Sequence, residues 1–302
     1  MRKFNDILTK YGLKPHRYEV KGKVTIIDTD NGKYVIKKKN SDRDNSIYDY
    51  LNSRNFNYYP KIISDNGDDY VVTEYIESSM MPDEQKLMDL IDLVSLLHSK
   101  TTHYKEVDAA DYKKLYEDIA NNIEYLYSYY NDIITIIESK VYMSPAEYLL
   151  ARNISSIFSA LNYDKDELEK WYEIVSKKTK QRLVVLHNNL DMSHFIRNKD
   201  TYLINWDKAK IDIPVFDLYK LYKRHNLEYD FEEVLRRYEK NYPLLEEERK
   251  LFFILISLPD KIEFDENNYE MTKKVSRLID NVYKTEQLIS PYYSKNTKEK
   301  QQ

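Results

Sequence analysis

The residues able to do chemistry in this 302-residue chain gather between positions 187 and 207. His187-Asn188-Asn189-Leu190-Asp191-Met192-Ser193-His194-Phe195-Ile196 is followed at once by a hairpin that ends in Tyr202-Leu203-Ile204-Asn205-Trp206-Asp207. A short apolar strand, 182–186, ends at the first histidine, and Asn198-Lys199-Asp200 is the hairpin turn. An amide such as that of Asn189 cannot take a proton from a hydroxyl at neutral pH. An imidazole such as that of His194 is a poor Mg²⁺ ligand, because Mg²⁺ prefers hard oxygen donors in octahedral geometry. The carboxylate inside the loop is Asp191, and a second, Asp207, follows the hairpin. His16, His103 and His225 show no ligand-like spacing, and the absence of cysteine excludes disulfides, thiolate zinc sites and cysteine nucleophiles.

The elements that must hold this segment follow two patterns. The first third reads as strands with one helix. Residues 18–28 form a strand, a Gly22 turn and a second strand, and Asp30-Asn31-Gly32 is a hairpin turn because Asn-Gly accepts positive φ cheaply. A third strand spans 33–37, a short helix about 42–54, and two more strands 59–63 and 70–76, joined through Asp65-Asn66-Gly67-Asp68. After Pro82 the apolar period becomes 3.6: Leu87, Leu90, Ile91, Val94 and Leu97 make one stripe, and Tyr112, Leu115, Ile119, Ile123, Leu126, Tyr130, Ile133 and Ile137 make a longer one. Ser144-Pro145-Ala146-Glu147 predicts a helix start with a capping box, another helix is expected near 165–178, and the chain beyond Phe216 reads helical to about 288. The expected fold class is α+β: a two-lobed arrangement with a small antiparallel β-rich N-terminal lobe at 1–76, a hinge near 74–82, a helical C-terminal lobe at 77–293 holding the hairpin, and a polar, fraying tail at 294–302.

In order and spacing these features resemble the protein-kinase-like superfamily, specifically its aminoglycoside phosphotransferase and choline kinase branch, over roughly residues 15–290. In that pattern a His-x-Asp loop places the catalytic base, an Asn five residues later binds metal, and so does an Asp beyond the next hairpin. The matching positions are Asn189 for the base, His194 for the metal-binding Asn and Asp207 for the metal-binding Asp. Tyr34-Val35-Ile36-Lys37 looks like the third-strand lysine motif, which implies that Lys37 contacts nucleotide phosphates. Glu74-Tyr75-Ile76 looks like the hinge whose backbone binds adenine, and Leu96-Leu97-His98 resembles the helix end that follows it. Asp212-Ile213-Pro214-Val215-Phe216-Asp217-Leu218 resembles the stretch whose second aspartate, here Asp217, braces the catalytic loop, while His187 supports that loop from beneath. The resemblance implies ATP and Mg²⁺ as cofactors.

The departures from the family pattern carry as much as the matches. The base position is Asn189, and losing a positioned base costs about 10²–10⁴-fold in rate. The second metal position is His194, the phosphate-covering loop near 19–24 keeps only Gly22, and the helix facing Lys37 offers Asp42, Asp44 or Asp49 in place of a glutamate. Lys37 and Asp207 remain, which is the profile of a pseudokinase. Lys37 also reads as one lysine of a solvated Lys37-Lys38-Lys39 run. Asp191, two residues past Asn189, reads either as a substitute base or as a plain loop carboxylate.

Composition narrows the function classes. Lys plus Arg is 47 against 51 for Asp plus Glu, a net charge of −4 that gives no electrostatic case for nucleic acid or an anionic membrane as partner. The longest apolar run, 251–258, is far short of a membrane span, and the N-terminus lacks an apolar signal segment, so a cytoplasmic protein is expected. Tyrosine is abundant at 30 residues and glycine scarce at 4. This fits either the codon bias of an AT-rich genome or an adhesive tyrosine surface. Size and composition resemble the spore-coat S family of Firmicutes, which implies a role in coat assembly. Three readings stay open: a pseudokinase acting as a binding or assembly protein with protein partners; an active ATP-dependent kinase of a small hydroxylated or cationic substrate, with Asp164, Asp166, Glu167 and Glu169 as its cation site or as a solvated helix face; and a helical interaction protein without a nucleotide site.

Overall fold

The computed structural model describes residues 2–39, 44–64, 68–264 and 267–299. In chain order the elements are α1 (Arg2–Lys10), β1 (Pro15–Lys21), β2 (Val24–Thr29), β3 (Gly32–Lys38), α2 (Asp44–Ser53), β4 (Tyr70–Glu74), α3 (Asp83–Thr101), β5 (His103–Glu106), α4 (Ala109–Glu138), α5 (Pro145–Val175), β6 (Lys180–Leu186), β7 (Phe195–Arg197), β8 (Thr201–Leu203), β9 (Lys210–Asp212), α6 (Val215–His225), α7 (Phe231–Asn241), α8 (Glu246–Ser257) and α9 (Asn268–Glu299). They form two compact units, one of residues 1–102 with 184–211 and one of 103–183 with 212–302. The α+β class and the antiparallel β-rich N-terminal part agree with the sequence reading.

In the first unit β1 to β4 pair antiparallel in sequence order. The helix α1, which the sequence reading did not anticipate, lays Ile7 and Leu8 with Leu13 against Ile27, Ile36 and Val72 of the sheet. It ends where Gly12 takes φ +63 and lets the Leu13 N–H return to the Leu8 carbonyl at 2.8 Å. The strand expected at 59–63 does not form. Pro60 has no N–H to give a ladder, and the segment makes only an isolated bridge, Ile62 opposite Thr73, with Ile63 N–H donating to Val72 at 2.8 Å. The expected linker residues 65–67 lie outside the described residues. Helix α2 closes at Asn55, φ +55, a left-handed position that asparagine tolerates, and the buried Leu51 and Phe56 flank that turn. Helix α3 buries the predicted stripe Leu87, Leu90, Ile91, Val94 and Leu97. Its Thr101 hydroxyl accepts the Val185 N–H of β6 at 3.0 Å and donates to Leu97 at 2.7 Å, which fixes the strand that ends at His187.

In the second unit α4, α5, α8 and α9 pack around buried Tyr130, Ile157, Leu161, Leu168, Trp171 and Phe252. The capping box at Ser144 forms as its sequence predicts: the Glu147 N–H donates to the Ser144 hydroxyl at 3.3 Å and the Ser144 N–H to Glu147 at 2.7 Å. From there α5 runs unbroken to Val175 and absorbs the separate helix expected near 165–178, since no glycine or further proline interrupts it. A short strand missed in the sequence, β5, pairs antiparallel with β6 from His103 opposite Leu183 to Glu106 opposite Lys180. Many tyrosines are core residues here. Tyr130, Tyr222 and Tyr238 are fully buried, and the Tyr130 hydroxyl donates to the Asp260 carbonyl, a use for the phenol that phenylalanine lacks.

Asp164 of α5 is completely buried beside Ser257. The Ser257 hydroxyl stands within reach of its own helix carbonyl at Phe253, 2.7 Å away. A hydroxyl has one proton, so a Ser257 that donates to Phe253 accepts from Asp164, which requires the protonated carboxylic acid. Burial pushes the Asp164 pKa well above the usual carboxylate range, against the smaller opposing pulls of Ser257 and the Lys223 charge. The native state therefore keeps a proton that the unfolded chain releases above about pH 4. Stability should fall as pH rises through that window, by up to about 1.4 kcal/mol per pH unit for one group. Urea unfolding between pH 4 and 8 should show this slope for the wild-type chain and lose it in Asp164→Asn, whose amide can donate to Ser257 as the acid does. Parallel pH curves for the two would contradict the assignment.

Candidate functional site

Strand alternation divides the sheet of the first unit into two faces. Ile27, Ile36 and Val72 face α1. Val24, Ile26, Val35, Lys37, Val71 and Thr73 face an open cavity of about 750 Å³, within the range of small-molecule sites. Asn189, His194, Ile204, Asn205, Trp206 and Asp207 line the same cavity, so the lysine of β3 and the segment singled out in the sequence meet in one place.

The loop after β6 is stitched to the hairpin formed by β7 and β8. His187 is fully buried; its Nε2–H donates to the Ile204 carbonyl at 2.9 Å, and its ring packs edge-on to Trp206 at 4.9 Å. Trp206 Nε1–H in turn donates to Leu203 at 2.7 Å. Asn188 and Asn205 both hold left-handed backbone, φ +59 and +68, and the Asn188 amide donates to the Lys208 carbonyl at 2.7 Å. Asparagine is among the few residue types that tolerate this conformation, so two sharp reversals form without glycine in a chain that has almost none.

A single hydrogen-bonded chain then crosses the cavity wall. His194 Nδ1 lies 2.8 Å from the Asn189 carbonyl, which can only accept, so Nδ1 carries the ring proton. The lone pair of His194 Nε2 accepts from Asn205 Nδ2 at 3.0 Å. This turns Asn205 Oδ1 toward Lys37, whose Nζ donates to it at 2.9 Å and also forms an ion pair with Asp207. Asn205 is the member the sequence reading missed. The available signal was an asparagine two residues before Asp207, at the exit of a hairpin.

The remaining candidates are placed as follows. Asp191 caps the 3-10 turn at Met192–His194: its Oδ1 accepts from the Ser193 N–H at 2.8 Å and the Ser193 hydroxyl at 2.6 Å. Glu74, Tyr75 and Ile76 line the cavity at the end of β4; the Glu74 N–H is donated to Lys61 and the Tyr75 N–H to Lys33, each at 3.0 Å. Asp217 lies buried in the first turn of α6, in the second unit. Asp49 stands near Tyr59, whose pKa is raised by burial and by the Asp49 charge, whereas the side chains of Asp42 and Asp44 lie outside the described residues. Lys21, Lys23, Lys38 and Lys208 also line the cavity, so among the described residues five lysines face two carboxylates, Glu74 and Asp207, in a chain that is acidic as a whole.

The donors present do not fit the Mg²⁺ that the family resemblance implies. Both His194 nitrogens are used inside the protein, and one oxygen of the Asp207 carboxylate, Oδ2, is held by Lys37. Among the described residues no three His, Cys, Asp or Glu side chains converge into a ligand set.

No protein-family model matches the chain, and no curated protein sequence matches it. Solved structures do. An aminoglycoside phosphotransferase from Alicyclobacillus acidocaldarius superposes with a TM-score of 0.71, over 95% of this chain and 94% of that one, at 10% sequence identity. Spectinomycin phosphotransferase APH(9)-Ia, solved with AMP, gives a TM-score of 0.55 over 93% and 98% at 12% identity. Choline kinase LicA from Streptococcus pneumoniae gives 0.49 over 94% and 91% at 19% identity. The fold is the protein-kinase-like fold of the aminoglycoside phosphotransferases. At these identities the likeness defines fold and leaves activity to the residues of the site.

Proposed function

We propose that this chain is a pseudokinase: a kinase-fold protein that binds a nucleotide in the cavity of its first unit, has lost phosphoryl transfer, and works as a binding or assembly protein. The observation that carries this reading is the chain from Asn189 through His194, Asn205 and Lys37 to Asp207. The Asn189 carbonyl, both His194 nitrogens and Asp207 Oδ2 are spent on holding the site's own shape. Asn189 has no basic group to offer, and Asp191 spends Oδ1 on its own turn without lining the cavity. Three of the four carboxylates considered as a cation site are likewise used internally, and Asp166 stands exposed. Asp164 is buried, Glu167 binds Lys170 and Lys250, and Glu169 accepts the Tyr116 hydroxyl.

Nucleotide binding is supported by one structural neighbour, spectinomycin phosphotransferase APH(9)-Ia, solved with AMP and again with ADP and spectinomycin, the latter at a TM-score of 0.50 over 95% of this chain. The adenine would lie at 74–76. There the N–H groups of Glu74 and Tyr75 are committed to Lys61 and Lys33, which points to the Glu74 carbonyl and the Ile76 N–H as its partners. His187 holds the loop to the hairpin. A coat-assembly role rests on the size of the chain and its tyrosine-rich, glycine-poor composition.

Thermal unfolding with ATP tests the reading. ATP at about 100 times its dissociation constant should add about 2.7 kcal/mol of stability, while phosphate release stays at the level of buffer. An unchanged melting curve at millimolar ATP would remove the nucleotide from the proposal, and turnover by the wild-type chain would remove the pseudokinase.

A further inference from the structure

We infer that the cavity binds the phosphate groups of its ligand without a divalent cation, using lysines where active kinases use metal. The inference rests on the proposed nucleotide site and adds how that site meets the charge. In phosphoryl-transfer enzymes the metal ions bridge the phosphate oxygens and neutralise their charge. Here the second metal position is a histidine whose Nδ1 proton goes to the Asn189 carbonyl and whose Nε2 lone pair is filled by Asn205. The surviving carboxylate, Asp207, gives its Oδ2 to Lys37, and that ion pair offsets its charge toward a phosphate.

The charge the metal would supply is present in another form. Lys23, Lys38 and Lys208 line the same cavity at exposed positions, beyond the Lys37–Asp207 pair, and Lys21 joins them while also pairing with Glu19 at 3.0 Å. Among the described residues lysines exceed carboxylates by three around a cavity in a protein of net charge −4, so the positive charge is local to this site. Ammonium groups on flexible stems act as point charges that adapt to phosphate oxygens and need no fixed coordination geometry. Such binding falls with salt more steeply than a metal-bridged contact, because these heads are exposed.

Isothermal titration with ATP and with inorganic tripolyphosphate, each in EDTA and in excess Mg²⁺, decides the matter. Both probes should bind in EDTA, with ATP within about threefold of its Mg²⁺ affinity. Lys23→Ala with Lys208→Ala should weaken both probes about tenfold at low salt, at about 0.7 kcal/mol for each exposed charge. Asp207→Asn, which frees Lys37 for phosphate and removes a negative charge, should tighten ATP several-fold in EDTA; at a metal-dependent site it should abolish binding. Melting temperatures of the unliganded variants control for folding. ATP binding that requires Mg²⁺, or is lost in Asp207→Asn, overturns the inference and leaves the nucleotide site standing. Binding of tripolyphosphate but not ATP in EDTA keeps the metal-free phosphate site and overturns the nucleotide assignment. Failure of both probes in both buffers overturns both.

Discussion

An Asn189→Asp, His194→Asn double variant is expected to hydrolyse ATP in a Mg²⁺-dependent manner, about 10²–10⁴-fold faster than the wild-type chain, the factor a positioned base supplies. The first substitution puts a carboxylate where the loop now ends in an amide. The second replaces a ring whose two nitrogens are saturated by Asn189 and Asn205 with a side chain that carries an oxygen. The scaffold needs little change, because His187, Trp206 and Asn188 hold the loop through contacts that neither substitution touches. Asn205 loses its imidazole acceptor and stays tied to Lys37. Water serves as acceptor, so no substrate has to be known, and the readout is phosphate release with and without EDTA. Each single variant should give much less than the pair, since base and metal act on the same phosphoryl group. Activity unchanged in the double variant, at an intact melting temperature, would mean that the site has diverged beyond these two side chains.

Glu248→Ala should destabilise the second unit by about 3–5 kcal/mol, the range for breaking a buried ion pair by removing one partner. Glu248 is almost wholly buried and takes Arg182 through two guanidinium nitrogens, with Nε at 2.9 Å. The same carboxylate accepts the Leu245 N–H at 3.0 Å and so caps α8. Arg182 lies 4.3 Å over the Tyr242 ring and donates to the Pro243 carbonyl at 2.9 Å, tying β6 to the turn before α8. Alanine leaves a guanidinium without its counter-charge and a helix start without its cap. Glu248→Gln, which keeps the cap and one hydrogen bond, should lose roughly half as much. Urea unfolding measures both, and a loss below about 1 kcal/mol for the alanine variant would show that Arg182 finds compensation elsewhere.

The parts legible in the sequence are those set by local chemistry. Asn31-Gly32 turns a hairpin, Ser144 caps a helix, and the 3.6-residue stripe of α3 is buried as its spacing predicts. The gathering of Lys37 with Asn189, His194 and Asp207 was legible because a known motif order stood behind it. What escaped depends on partners distant in sequence. Helix α1 is too short and polar to announce itself until Ile7 and Leu8 find the back of a sheet. Strand β5 has four residues and exists only through β6. Asn205 looks like any turn asparagine until Lys37, 168 positions away, reaches it. The failed strand at 59–63 shows the opposite error, in which apolar β-branched residues promised a ladder that one proline forbids.

The chain has two tryptophans, and each unit holds one: Trp206 in the first and Trp171 in the second, both nearly inaccessible to water. Intrinsic fluorescence therefore contains two addresses. Trp206 sits in the wall of the cavity against the His187 ring, so its emission responds to whatever enters there. Trp171 packs against Tyr112 within the helices and responds to their unfolding. With Trp206→Phe and Trp171→Phe each removing one address, the same optical signal reports ligand entry in one unit and melting of the other, with no dye attached to either.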